Sequence, residues 1–311
     1  MSASTLAASA TSAPFEIYSD EFRRILGSNP QLELLSNDFK FSEGVCWVEQ
    51  GQFLVVSDFL NDRVMKWTER EGLTVYRQPA QTANGNAVDA EGRVISCLTR
   101  ARSVVRFEHD GSQTVLADSY DGKKLTSPND VVVKSDGSIW FTDPDYGWLV
   151  AEFGHCQPPE QHRNRVYRVA PDTLEVTIAS EDFDKPNGIC FSPDERILYI
   201  GDTGMTHGAF RPHRLMAFDV QADGRTLSNP RLFADINPWV PDGFRCDVDG
   251  NVYVGAGDGV QIFNPAGKML GKILTPEAVG NLSFGMSDKQ TLFIGASSSL
   301  FAVKLQTAGA K

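Results

Sequence analysis

Several features are missing from this 311-residue sequence, and each absence excludes something. No apolar run approaches the roughly eighteen residues of a spanning helix, so a membrane protein of that kind is not expected. Met1 to Pro14 are rich in Ser, Ala and Thr, without a basic stretch or a continuous apolar one. They read as a loose tail rather than a secretory signal, and a cytoplasmic location is expected. The five cysteines (Cys46, Cys97, Cys156, Cys190 and Cys246) are scattered and never spaced C-x-x-C. That argues against both a disulfide framework and a thiolate metal site. Three of them lie in apolar runs, where a reduced thiol acts as a small buried hydrophobe. Basic residues are outnumbered, 29 against 40 acidic, for a net charge of −11. Nucleic acid and anionic membrane are therefore poor partners.

Familiar catalytic motifs are missing too. No G-x-S-x-G elbow supports a serine hydrolase. Gly255-Ala-Gly257-Asp-Gly259 lacks dinucleotide-loop spacing, and Asp247-x-Asp249 loses the EF-hand register at Gly250. Helical periodicity is confined to Ser19–Leu26, with a Ser cap and a Gly27 stop.

What remains is short β-rich runs separated by turns, and they repeat. Six segments begin with an oxygen-bearing residue at Glu43, Asn84, Asn129, Asn187, Asp242 and Asn281. Each continues into a β run and reaches a turn eight residues on, at Gly51, Gly92, Gly137, Glu195, Gly250 and Lys289. The average spacing is about 48 residues, the size of a four-stranded propeller blade. A sandwich gives no reason for a fixed offset. The expectation is an all-β, six-bladed β-propeller of four-stranded blades. The last unit lacks an outer strand, and Gln31–Leu35 is expected to supply it and close the ring. The expected divisions are residues 1–30 as tail and short helix, 31–305 as a single propeller, and 306–311 as a C-terminal tail.

In such a ring the six repeat-starting residues converge at one mouth of the central channel. Carboxylates and amides converging there need a partner. Glu43, Asp242 and the asparagine oxygens suit one divalent cation, with Ca²⁺ favoured, Mg²⁺ or Mn²⁺ next and Zn²⁺ last. Asparagines that merely form turns explain one such site better than six on one ring. The loops joining second to third strands border the same mouth, and both long insertions fall there. Pro144–Asn164 and Thr203–His213 carry His155, His162, His207 and His213 with Tyr146 and Trp148. These form an expected pocket rim, with His207 the first candidate.

At Phe41-Ser-Glu43-Gly, Ser127-Pro-Asn129-Asp130, Phe141-Thr-Asp143-Pro-Asp-Tyr146-Gly, Pro186-Asn187-Gly, Pro241-Asp242-Gly and Asn281-Leu-Ser-Phe-Gly, the sequence resembles the gluconolactonase, or SMP-30/regucalcin-like, family. The resemblance runs from about Phe41 to Val303. It implies metal ligands at Glu43, Asn129, Asn187 and Asp242, a catalytic carboxylate at Asp242, a pocket-lining Asp130, and a sugar lactone as substrate. Asp242 would serve as general base or nucleophile, with Asn84 and Asn281 positioning a water or a sugar hydroxyl. Departures from the family pattern at Cys97-Leu98-Thr99, Thr126 and Ser127 lie outside the ligand set and bear on which lactone fits. Two alternatives share these residues: a phosphotriesterase of the diisopropyl-fluorophosphatase type and a non-catalytic calcium-binding propeller.

Overall fold

The structure, a computed structural model, describes residues 14–154 and 156–310. The expected tail up to Ala13 and the rim residue His155 lie outside the described residues. Six antiparallel sheets stand around a central axis, each with its first strand innermost. The innermost strands are Ser42–Val48, Ala83–Val88, Val131–Val133, Pro186–Phe191, Phe244–Cys246 and Val279–Gly285. The architecture is the expected six-bladed propeller. In blade 1, Ser42–Val48 is followed outward by Phe53–Asp58, Arg63–Thr68 and Gly72–Arg77.

The eight-residue offset has a backbone cause. Gly92, Gly137, Glu195, Gly250 and Lys289 all adopt positive φ, and blade 1 places its equivalent one residue later, at Gln52. Each donates its N–H to the carbonyl three residues back, as in Gly137 to Lys134 at 2.9 Å. A left-handed residue at that point reverses the chain into the second strand. It sends all six hairpins to the face opposite the repeat-starting residues.

Packing closes the circle. Six apolar clusters lie between successive blades, and the one joining blades 6 and 1 contains Phe293, Leu300, Val45 and Leu54. Trp47 stacks on Phe293 there, with centroids 5.7 Å apart. Strand Leu32–Ser36 pairs with Ser299–Lys304, Leu32 opposite Val303, and supplies the missing outer strand of blade 6. A second N-terminal strand, Phe15–Ile17, adds a fifth to blade 5 by pairing with Met269–Leu274. Helix Asp20–Leu26, capped by Ser19, buries Phe22, Ile25 and Leu26 against blades 5 and 6. The chain end is also engaged: Gln306 N–H bonds Ile25 O at 2.7 Å and Ala310 N–H bonds Cys246 O at 3.0 Å. Among the described residues no helix is long and apolar enough to cross a membrane.

Candidate active site

The six repeat-starting segments stand side by side around the channel, and bonds between blades show their contact. Ser57 of blade 1 donates its hydroxyl to Asn84 O of blade 2 at 2.7 Å. Gly85 N–H reaches Asn129 O of blade 3 at 2.8 Å. Thr142 of blade 3 bonds Asn187 O of blade 4 at 2.8 Å. Gly243 N–H bonds Gly280 O of blade 6 at 2.7 Å. Between blades 4 and 5 the approach is closer still: a Cβ on Gly188 would stand 2.1 Å from Asp242 O, so only glycine fits. Inner strands this close bring their first side chains to one mouth.

Those side chains are buried. Glu43, Asn84, Asn129, Asn187 and Asn281 are all under 10% exposed, Asp130 is 2% exposed, and Asp242 is half-buried. Burial raises the Glu43 carboxyl well above its ordinary range, and the charges of Asp242 and Asp130 push it the same way. Asp242 is pushed up to about 8 by burial and then by Asp130, against the hydrogen bond from Asn187. Asp130 is raised chiefly by burial, while Arg245 and the N–H groups of Val131 and Ile189 oppose the rise. Three carboxyls crowd one low-dielectric spot, and each makes ionising the others harder.

Asn281 takes a more specific position than the sequence indicated. Its amide oxygen accepts the Leu282 N–H at 2.8 Å, and its side chain hydrogen-bonds both Glu43 and Asp130. It therefore braces two carboxylates across the channel. Asn187 does the same for Asp242.

The rim is built from both insertions. Tyr146 begins the short helix Tyr146–Leu149 and is buried, its hydroxyl bonded to Thr203 and, at 3.2 Å, to Thr206. His207 is exposed: its ring lies 5.5 Å from that of Tyr146 and its Nδ1 bonds Thr206 Oγ1 at 2.8 Å. Buried Lys185 links the two insertions: its Nζ meets Asp145 at 2.8 Å and its carbonyl accepts the Thr203 N–H at 3.0 Å. At the other side, Phe153 packs on Phe59 (5.3 Å) and Phe41 (6.5 Å), so the longer insertion reaches from blade 3 to blade 1.

Residues 41–298 match the family described as SMP-30/Gluconolactonase/LRE-like region. The chain belongs to that family. A gluconolactonase of Zymomonas mobilis is 29% identical over 310 aligned residues, covering 94% of this chain and 86% of the relative. A solved gluconolactonase from Xanthomonas campestris superposes with a TM-score of 0.87 at 34% identity, over 94% of both chains. A regucalcin described as calcium-binding, from Agrobacterium tumefaciens, shares the fold at a TM-score of 0.72 but only 18% identity, over 90% of this chain and 95% of that one.

Whether a cation of the kind the family resemblance implies suits these residues is decided by donor chemistry. Among the described residues no three His, Cys, Asp or Glu side chains form a group that could hold a metal by themselves. A cation would need the asparagine oxygens beside Glu43 and Asp242. The set suits a hard ion: oxygen donors only, two of them carboxylates, converging where Asp130 Oδ1 is buried without a hydrogen-bond partner. The nearest fixed positive charge is weakly placed, with Arg245 Nη1 standing 4.0 Å from Asp130 Oδ2.

Arg245 and Lys185 escaped the sequence reading: each sits among acidic residues, Lys185 beside Asp184 and Arg245 between Asp242 and Asp247, and only the fold shows where its charge goes. A third feature is a repeat in its own right. The carboxylates ending three second strands turn away from the ring and bind the backbone leading into the first strand. Asp58 accepts Lys40 N–H at 2.9 Å, Asp143 accepts Ser127 N–H at 2.7 Å, and Asp202 accepts Lys185 N–H at 3.0 Å. Each also faces an arginine across the sheet: Arg63, Arg165 and Arg214.

Proposed function

We infer that this protein is a hydrolase that opens small, hydroxyl-rich lactones of the gluconolactone kind. One observation carries the reading: Glu43, Asp130, Asn187, Asp242 and Asn281 meet at one channel mouth, with Asn129 buried beside Asp130 in the chain. They do so in a chain that matches gluconolactonases over more than nine-tenths of its length.

A divalent cation held by Glu43, Asn129, Asn187 and Asp242, with Ca²⁺ the best match to the donors, would supply Lewis acidity toward the lactone carbonyl. The chain's own residues do the rest. Asp242 is oriented by the Asn187 amide, and its partial exposure leaves it open to a water or a substrate. It accepts the proton of the attacking water as the new C–O bond forms at the carbonyl carbon. When the ring C–O bond breaks, the proton passes to the departing ring oxygen, leaving an open hydroxy acid. Asp130 Oδ1, unpartnered and buried, and Asn84 accept substrate hydroxyls. Tyr146, locked by Thr203 and Thr206, bounds the pocket on the side of blades 3 and 4.

The test uses purified protein, stripped with chelator and reloaded in turn with Ca²⁺, Mg²⁺, Mn²⁺ or Zn²⁺. Acid release is followed on gluconolactone, a homoserine lactone and a phosphotriester. Turnover of gluconolactone, lost on stripping and restored by a cation, is the expected result. Preference for the phosphotriester would replace the reading with the phosphotriesterase alternative. A bound cation with no turnover of any of the three would make the protein a binding propeller.

A further inference from the structure

On the far side of the ring, the channel widens into a cavity of about 280 Å³. Its walls include Cys46, Cys190, Arg245 and Cys246 from the inner strands, and it extends to Glu49, Gln50 and Lys289 at the hairpin turns. Glu49 and Gln50 are exposed, so the cavity is reached from the face opposite the candidate active site.

Two of its thiols are neighbours. Cys190, on the inner strand of blade 4, and Cys246, on that of blade 5, are both free and buried, at 6% and 3% exposure. Their side chains are in hydrogen-bonding contact with each other, and the Cys190 S–H also donates to Phe191 O at 3.2 Å. The Arg245 guanidinium adds positive charge from the Cys246 strand. The Cys246 contact and the Arg245 charge favour ionisation of Cys190 over that of the other buried thiols. Accordingly, the Cys190 thiol is lowered, first by the Cys246 hydrogen bond and against the effect of burial. The remaining buried thiols go the other way. Cys46 is pushed up to about 11 by burial, and Cys97, outside the cavity, is raised well above its ordinary value by the same cause.

We propose that Cys190 and Cys246 form a redox-active dithiol, oxidised to an inter-blade disulfide by small hydroperoxides that enter through the far mouth of the channel. Cys190, once deprotonated, attacks the terminal peroxide oxygen: an S–O bond forms, the O–O bond breaks, and hydroxide leaves from hydrogen peroxide or an alkoxide from an organic hydroperoxide. The Cys246 thiol then attacks the resulting sulfenic sulfur. The S–S bond forms, the S–O bond breaks and water leaves. Two electrons pass from the thiol pair to the peroxide. The bond links the strands that follow Asn187 and Asp242, so it pins the two blades that contribute those residues to the ring.

The test treats reduced, full-length protein with about one equivalent of hydrogen peroxide, blocks remaining thiols, and maps peptides without reduction. The Cys190–Cys246 linked peptide is expected, with Cys46 and Cys97 still alkylated. In Cys246→Ser, Cys190 should accumulate as a sulfenic acid trapped by dimedone. A Cys156→Ser background removes the exposed thiol as a competing target. Cys190 and Cys246 both recovered as free thiols would overturn the proposal, as would oxidation confined to Cys156 or Cys46.

Discussion

Three carboxyls sharing one buried mouth destabilise the metal-free protein, and Asp242→Asn measures by how much. In the folded chain Asp242 is carried from its ordinary 3.8 to about 8, first by burial and then by Asp130. Between those values the folded state retains a proton that the unfolded chain has released. Stability therefore falls as pH rises from about 4 to about 8. At about 1.4 kcal/mol per tenfold, the full displacement amounts to about 6 kcal/mol. Glu43 and Asp130 share the burden and Asp242 is partly exposed, which brings its portion to about 2–3 kcal/mol. The amide keeps the shape and cannot ionise, so the chelated variant should melt about 5 °C above the chelated wild type near pH 8. The two should converge near pH 4. Scanning fluorimetry in chelator across this range reads the difference directly. Parallel pH profiles for the two proteins would refute the claim that the ring carboxyls repel one another.

Three further outcomes follow from named contacts. Asp58→Ala leaves Arg63 without its buried partner and strips two backbone N–H groups of their acceptor. It should cost about 3 kcal/mol, read as a lower urea midpoint with an unchanged slope, and a loss under about 1 kcal/mol would contradict it. Gly188→Ala puts a methyl group against Asp242 O. It should cost about 1–3 kcal/mol and lower lactone turnover at least tenfold, and wild-type turnover would show that the blade 4–5 approach does not position Asp242. Tyr146→Phe frees the rim from Thr203 and Thr206. KM should rise several-fold with kcat changed less than about twofold, and the reverse pattern would place Tyr146 in the chemistry.

The ring was legible in the sequence because its cause is local. A left-handed turn residue eight positions after the oxygen-bearing side chain is written into blades 2 to 6, even where Glu195 and Lys289 replace glycine, and blade 1 has it one position later at Gln52. The closing strand was legible because blade 6 visibly lacked a partner. Phe15–Ile17 was not: three residues carry no pairing signal, and their partner, Met269–Leu274, lies far along the chain. For the same reason nothing announced Phe153 on Phe41 and Phe59. The roles of Asp58, Asp143 and Asp202 were hidden differently. Their positions were readable, but only the fold shows that their oxygens are taken up by backbone N–H groups. Asn281 was found as a ring member, while its bracing of Glu43 and Asp130 depends on side-chain orientation that spacing does not encode.

The central claim is that this mouth opens lactones with Asp242 as the proton acceptor. Its most direct test is the rate of acid release from gluconolactone by cation-loaded wild type and Asp242→Asn, with circular dichroism confirming equal folding. The variant should lose about 10²–10⁴-fold in kcat. Near-full turnover by a folded Asp242→Asn would contradict it.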